Sequence, residues 1–225
     1  MFARRPTSEW DHGFNSMEEK TRKLWIDQDR HTGDRLRLFR AISEYTAPKK
    51  VLYPGCFVDV APSFSFRNVT FVDIDSRAQQ FFADPDGVRE IIASQAGAPG
   101  SPEFRFIHAD YTEDLGLRGQ SFDLLISLYA GFVSEHCSRY LRPGGTLLVN
   151  PSHGDAAMAS IDPAFRLTGV VISRGGEYRV KTGDLGQYLV PKKPGTITAE
   201  SLHESGRGVA YAKPAFAYLF EFSPD

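Results

Sequence analysis

A glycine and an acidic residue stand where two predicted strands end, and their spacing suits the binding of a nucleoside. Residues 51–53 are predicted as a strand that stops at Gly55, and residues 69–72 as a second strand that ends on Asp73. Glycine allows the backbone to approach a ligand closely, and a carboxylate accepts hydrogen bonds from ribose hydroxyls. This segment therefore predicts a βαβ unit with a nucleoside-type ligand.

Further polar residues follow the later predicted strands. Asp110 and Tyr111 come after a strand at 104–108, and Tyr129 follows a strand at 122–127. His153 lies beyond a fifth strand at 146–150, on the rim where open α/β sheets bind ligands. An imidazole titrates near neutral pH, so His153 has the chemistry to deprotonate an acceptor. The alternative is that Ser152 or Asp155 caps a helix at 156–160 and that His153 is merely exposed.

Five segments between residues 50 and 150 together resemble the class I S-adenosylmethionine-dependent methyltransferases. In chain order they are VLYPGC, VTFVDID, FIHADYTEDL, FDLLIS and LRPGGTLLVN. The resemblance implies an α/β fold, namely a doubly wound Rossmann-like methyltransferase sheet. We further expect N-terminal helices before this sheet and an added β-hairpin region in the C-terminal part. It also implies S-adenosylmethionine as cofactor and a small-molecule acceptor.

The resemblance also implies roles for individual residues. Gly55 and Cys56 would face the cofactor, Asp73 would hold the ribose, and Ile74 would lie against the adenine. Asp110 would take the adenine amino group with Tyr111 beside it, and Tyr129 would line the acceptor side. Cys56 is equally consistent with a small packing residue, and Tyr111 with a surface aromatic residue. The full set of predicted cofactor-binding residues is Tyr53, Gly55, Cys56, Asp73, Ile74, Asp110 and Tyr111, with His153 and Tyr129 as catalytic candidates.

The nucleotide turn departs from the family pattern. Tyr53 stands where the family has an acid, and Phe57 and Asp59 stand where it has further glycines. A side chain at Phe57 would fill space that the methionine part of the cofactor normally occupies, so either the turn is rebuilt or the ligand has changed. A non-catalytic or repurposed nucleotide-binding module is therefore the alternative function. A nicotinamide oxidoreductase ranks third because the G-x-G-x-x-G fingerprint is missing.

Composition sets the outer bounds of these predictions. The chain has 225 residues, 41% of them hydrophobic, which suits one domain: a helical cap at 1–46, a nucleotide-binding core at 50–150 and substrate-side and closing strands at 151–225. A net charge of −2 disfavours nucleic-acid partners. Two cysteines without metal-ligand spacing, and no apolar run of membrane-spanning length, lead us to expect a cytoplasmic protein without a metal or membrane partner.

The flanking regions carry two open alternatives. Helices predicted at 16–28 and 34–45, the second capped by Asp34, either cover one flank of the sheet or close over the cofactor. Residues 167–190 are predicted to form a hairpin and a further strand, which would serve as a substrate lid or as the interface of a homodimer. A final helix at 198–205 and a closing strand at 213–222 complete the prediction.

Overall fold

The computed structural model describes residues 17–224, so the first 16 residues of the predicted helical cap lie outside the described part. Eight strands form one sheet. They are β1 (Val51–Pro54), β2 (Asn68–Asp73), β3 (Glu103–His108), β4 (Phe122–Ser127), β5 (Leu141–Val149), β6 (Phe165–Arg174), β7 (Glu177–Lys181) and β8 (Ala217–Phe222). The helices are α1 (Glu19–Gln28), α2 (Asp34–Tyr45), α3 (Ser76–Phe82), α4 (Pro85–Ala93), α5 (Val133–Cys137), α6 (Asp155–Ile161) and α7 (Ala199–Ser205).

The strand order is β3-β2-β1-β4-β5-β8-β6-β7. Strands β1 to β5 run parallel, and β8 is antiparallel to both of its neighbours, β5 and β6. The chain reverses its direction of progress between β1 and β4, which is the position where open α/β sheets bind ligands. The doubly wound sheet, the N-terminal helices and the C-terminal β6–β7 hairpin predicted from the sequence are thus confirmed.

Two apolar layers cover the two faces of the sheet. On one face, the stripe of α2 formed by Leu38, Phe39 and Ile42 is fully buried, together with Trp25 of α1. On the other face, α5 and α6 pack against β4, β5 and β8, whose Tyr218, Phe220 and Phe222 belong to the same cluster. The short apolar runs of β1 and β4 are buried because helices cover both sides of them. Helix α2 therefore covers one face of the sheet with its apolar stripe, as the first of the two alternatives predicts.

Two predicted elements differ from the structure, and one helix of the structure was not predicted. The segment 142–145 is not a turn before β5 but an irregularity within it, because β5 begins at Leu141 opposite Phe122 and shifts register before Thr146. The predicted strand at 187–190 is wrong, since Leu185–Leu189 is a 3-10 helix whose Tyr188 carbonyl accepts a hydrogen bond from Tyr218. Helix α4, which starts at Pro85 with Asp84 as its cap, was not predicted.

Two predicted helix caps also differ. Gly33 precedes α2 in a left-handed conformation, and the Asp34 carboxylate instead accepts a hydrogen bond from Tyr178 of β7. Gly154 likewise precedes α6, so neither Ser152 nor Asp155 caps that helix. The predicted cap of α3 is confirmed, since Asp75 accepts the backbone N–H of Arg77.

No helix within residues 17–224 combines the length and apolar character needed to cross a bilayer. In the same part of the chain, no three side chains of His, Cys, Asp or Glu are grouped so as to hold a metal ion.

Candidate functional site

Asp73 and Ile74 form one half of the site, at the carboxyl end of β2. Oδ2 of Asp73 accepts the backbone N–H of Phe57 at 2.6 Å, and Oδ1 accepts that of Asp75 at 2.8 Å. Each carboxylate oxygen can accept two hydrogen bonds, so both oxygens keep a free acceptor position. Ile74 is 65% exposed, so its apolar side chain is accessible to a ligand. An exposed apolar side chain beside a carboxylate suits an aromatic base attached to a sugar diol.

Asp110 lies at the end of the neighbouring strand β3. Its Oδ1 accepts the backbone N–H and the hydroxyl of Thr112, at 2.9 and 2.8 Å, and these bonds lower the pKa of Asp110. No residue between 17 and 224 donates a hydrogen bond to its Oδ2. His108 contacts the Ile74 carbonyl oxygen at 2.9 Å and so ties the ends of β2 and β3 together. An ionised acceptor at this place suits an exocyclic amino group.

The glycine turn after β1 passes through two residues with a left-handed backbone conformation. Gly55 and Phe57 both adopt positive φ angles, +65° and +49°. The Phe57 ring is turned toward α3, where the Arg77 guanidinium lies 4.7 Å from its centre. The ring of Phe57 therefore packs against Arg77 of α3.

Tyr53 and Cys56 lie beneath this turn rather than at its surface. Both are 2% exposed; the Tyr53 hydroxyl donates to Asp59 at 3.2 Å, and the Cys56 thiol donates to the Phe57 carbonyl. Burial raises the pKa of both groups well above the usual range. Neither group is ionised at neutral pH. Through these hydrogen bonds Tyr53 and Cys56 support the turn from inside the protein.

The loop between β4 and α5 covers the glycine turn. A Cβ atom built on Gly55 would lie 2.6 Å from Cβ of Ala130, so only glycine fits there. The neighbouring Gly131 N–H donates to the Tyr111 hydroxyl at 3.0 Å, and a Cβ on Gly131 would come within 2.6 Å of that oxygen. The structure thus brings Gly55 and Tyr111 together, but it does so through the protein's own loop.

An open groove of about 420 Å³ lies at the carboxyl ends of β4 and β5. Tyr129 lines this groove and is 53% exposed. Its φ of +59° is a conformation that residues other than glycine rarely adopt. Asn150 accepts both the Tyr129 backbone N–H and the Ser152 hydroxyl, at 3.2 and 2.9 Å. The remaining lining residues are Pro151, Ser152, Gly208, Val209, Ala210, Ala215 and Phe216.

His153 lies at the rim of this groove and is not among its lining residues. Its Nδ1 is 2.9 Å from Oγ of Ser152, which does line the groove. The structure therefore connects His153 to the groove through the Ser152 hydroxyl, and places Tyr129 in the groove directly.

Asp155 is a buried carboxylate that the sequence suggested only as a helix cap. It accepts hydrogen bonds from the hydroxyls of Ser127 and Ser134, each at 2.5 Å, and from the Ser134 backbone N–H. Burial raises the pKa of Asp155 to about 6 although these hydrogen bonds oppose the shift. Asp155 thereby joins the end of β4 to α5 and α6 beneath the groove. The sequence has no clear signal for this cluster, because Ser134 and Asp155 stand among other polar residues.

A second unpredicted group lies between the glycine turn and the groove. Arg35 of α2 reaches the carboxyl edge of the sheet, where its Nε is 3.5 Å from the buried carboxylate of Asp59. Its Cζ lies 5.2 Å from the centre of the Tyr129 ring. The sequence contained no signal for this contact beyond the acid at position 59, because it depends on how α2 crosses the sheet.

No family model and no curated protein sequence matches the chain. Solved structures of similar fold include a candidate S-adenosyl-L-methionine-dependent methyltransferase from Methanococcus maripaludis, at 11% identity and a TM-score of 0.44. That match covers 58% of this chain and 61% of the other, so this chain spans less than two thirds of it.

Two further similar structures are methyltransferases by their descriptions. One is a methyltransferase from Geobacter sulfurreducens, at 14% identity and a TM-score of 0.46, with 72% of this chain and 89% of the other covered. The other is the N-methyltransferase NodS from Bradyrhizobium japonicum WM9 in complex with S-adenosyl-L-homocysteine, at 16% identity and a TM-score of 0.44. That match covers 73% of this chain and 94% of the other.

Proposed function

We propose that this chain binds S-adenosylmethionine at the carboxyl edge of β1 to β3 and transfers its methyl group to a small molecule held in the groove beside Tyr129. The observation that carries the proposal is the arrangement of Asp73, Ile74 and Asp110 at the carboxyl ends of the adjacent strands β2 and β3, on the β1 side of the switch point. Two carboxylates with free acceptor positions and an exposed apolar side chain complement the ribose, the amino group and the face of an adenosine.

When bound, the cofactor supplies an electrophilic methyl group, and the protein contributes mainly by orienting the acceptor. Tyr129 and Asn150 would orient the acceptor in the groove, where Tyr129 is held by its backbone bond to Asn150. For a hydroxyl acceptor, the Ser152 hydroxyl would first turn from Asn150 to His153; it would then give its proton to the imidazole as it takes the proton of the acceptor.

The alternative, a nucleotide-binding module without catalysis, is favoured by one observation. Ala130 lies against Gly55, and the hydrogen bond from Gly131 to Tyr111 holds the loop there. In this arrangement the adenosine half of the site is open while the glycine turn is covered. The two functions therefore differ in whether this loop moves when the whole cofactor binds.

Calorimetric titration with S-adenosylhomocysteine tests the proposal. Replacing Asp73 with Ala removes the acceptor of the ribose hydroxyls and should weaken binding by about 1.5–3 kcal/mol, or roughly 10- to 150-fold. The matched control is Asp86→Ala, which removes an exposed carboxylate on α4 and should leave the affinity unchanged. Because Asp73 also holds the turn through Phe57, circular dichroism must first show that the variant is folded.

The outcomes separate the two functions. Equal affinity of wild type and Asp73→Ala would reject the ribose assignment. Binding of adenosine as tight as that of S-adenosylhomocysteine would favour the non-catalytic module, since the amino-acid half of the cofactor would then contribute nothing. Preference for S-adenosylhomocysteine, together with methyl release from labelled S-adenosylmethionine, would support the methyltransferase.

A further inference from the structure

The guanidinium of Arg35 is incompletely paired. Its side chain is only 21% exposed, and its Nη1 is buried without a hydrogen-bond partner among residues 17–224. Among the described residues, Arg35 forms an ion pair with Asp59 through its Nε and lies over the ring of Tyr129. A buried N–H donor without an acceptor destabilises the folded protein, and a charged donor does so more than a neutral one. A ligand that supplied an acceptor here would remove this cost.

Asp59 does not fill this requirement. Its Oδ1 accepts the Ala61 N–H at 3.1 Å and its Oδ2 accepts the Tyr53 hydroxyl at 3.2 Å. The 3.5 Å distance from Arg35 is an ion pair rather than a close hydrogen bond. Burial is the largest single influence and would lower the pKa of Arg35, but Asp59 together with Tyr53, Tyr129 and Tyr178 raises the pKa, so the guanidinium stays charged. The planar fork of an arginine matches a carboxylate, to which it can donate two parallel hydrogen bonds.

The position of Arg35 connects the two parts of the site. Asp59 follows the glycine turn, and the Tyr129 ring that covers Arg35 also lines the groove. Tyr129 is half exposed and holds a strained φ of +59°, a conformation that costs about 1–3 kcal/mol. The ring thus lies against both the groove and the guanidinium, so a ligand in the groove would reach Arg35 by displacing this ring.

We propose that Arg35 binds the carboxylate of a small-molecule ligand at the junction of the glycine turn and the groove. The carboxylate belongs either to the amino-acid end of the cofactor or to the acceptor. Both sources rest on the proposed function, but binding of the second can be tested without a nucleoside. The acceptor class implied by the second source is a carboxylic acid.

The test uses the full chain and two pairs of ligands that differ in the carboxylate. S-adenosylhomocysteine carries one and 5′-methylthioadenosine does not; benzoate carries one and benzamide does not. The test variant is Arg35→Met combined with Asp59→Asn, which removes the guanidinium without leaving a buried unpaired carboxylate. Arg35→Lys keeps the positive charge but loses the planar guanidinium that donates two parallel hydrogen bonds. The control is Arg37→Met, on the same helix, whose side chain bonds to the Gly176 carbonyl.

If the carboxylate is that of the cofactor, the double variant should bind S-adenosylhomocysteine about 10- to 150-fold more weakly and 5′-methylthioadenosine unchanged. Arg35→Lys should fall between the double variant and wild type, and Arg37→Met should match wild type. If the carboxylate is that of the acceptor, benzoate should bind wild type in preference to benzamide, and the double variant should lose this preference.

The inference is overturned if the double variant discriminates within both ligand pairs as wild type does. Failure of the proposed function has a different signature, because then neither nucleoside binds wild type. The benzoate pair still decides the role of Arg35 in that case, since it does not depend on a nucleoside site.

Discussion

Replacement of Asp155 by Asn should change how the stability of the protein depends on pH. In the folded protein, burial raises the pKa of Asp155 to about 6 from its usual 3.8. Folding therefore takes up a proton between these two values, and the free energy of unfolding falls as the pH rises from about 4 to 6. Asparagine is neutral at every pH and keeps an oxygen that can accept from Ser127 or Ser134, so the variant lacks this dependence.

The size of the effect follows from the two pKa values. Their difference corresponds to about 3 kcal/mol over the whole transition, of which about 2 kcal/mol falls between pH 4.5 and 7.5. At pH 4.5 the wild-type carboxyl is largely protonated and resembles the amide. At pH 7.5 it is a buried carboxylate, so the stability of the variant relative to wild type should rise by about 2 kcal/mol between these pH values.

Urea unfolding of both proteins at pH 4.5, 6 and 7.5 measures this difference directly. The control is Asp75→Asn, because hydrogen bonds from Arg77 lower the pKa of Asp75 and its contribution is lost only below the usual 3.8. Its stability relative to wild type should thus stay constant over the same range. A difference between Asp155→Asn and wild type that is also constant would refute the view that Asp155 is protonated on folding.

Two further predictions concern the proposed site. Tyr111→Phe removes the acceptor of the Gly131 N–H and frees the loop over Gly55, so S-adenosylhomocysteine should bind about 2- to 12-fold more tightly by calorimetry; weaker binding would instead make Tyr111 a cofactor contact. His153→Ala should lower methyl-transfer turnover by about two to four orders of magnitude and leave S-adenosylhomocysteine affinity unchanged, with a smaller loss at high pH; near-normal turnover at all pH values would leave His153 as an exposed neighbour of Ser152.

Much of the central fold was predictable because its signals are local. Short apolar runs mark β1 to β4, and the fourth strand and α2 have the predicted bounds. The prediction was wrong where contacts between distant residues overrode the local sequence pattern. Pro143 and the following glycines suggest a turn, yet Leu141 and Thr146 on either side of them both pair with β4, so the segment lies within β5. The run at 187–190 has strand-like composition, but Tyr218 holds it in a 3-10 helix.

The sequence by itself determined which chemical groups stand at the strand ends. Asp73, Asp110 and Tyr129 each follow a recognisable strand, and parallel strands necessarily bring such residues to one edge. Only the tertiary structure decided which of these groups meet other parts of the chain. The contact of Ala130 with Gly55, the burial of Asp155 between Ser127 and Ser134, and the approach of Arg35 to Asp59 depend on how loops and helices cross the sheet. Those crossings are set by packing between residues far apart in the chain, which no local pattern encodes.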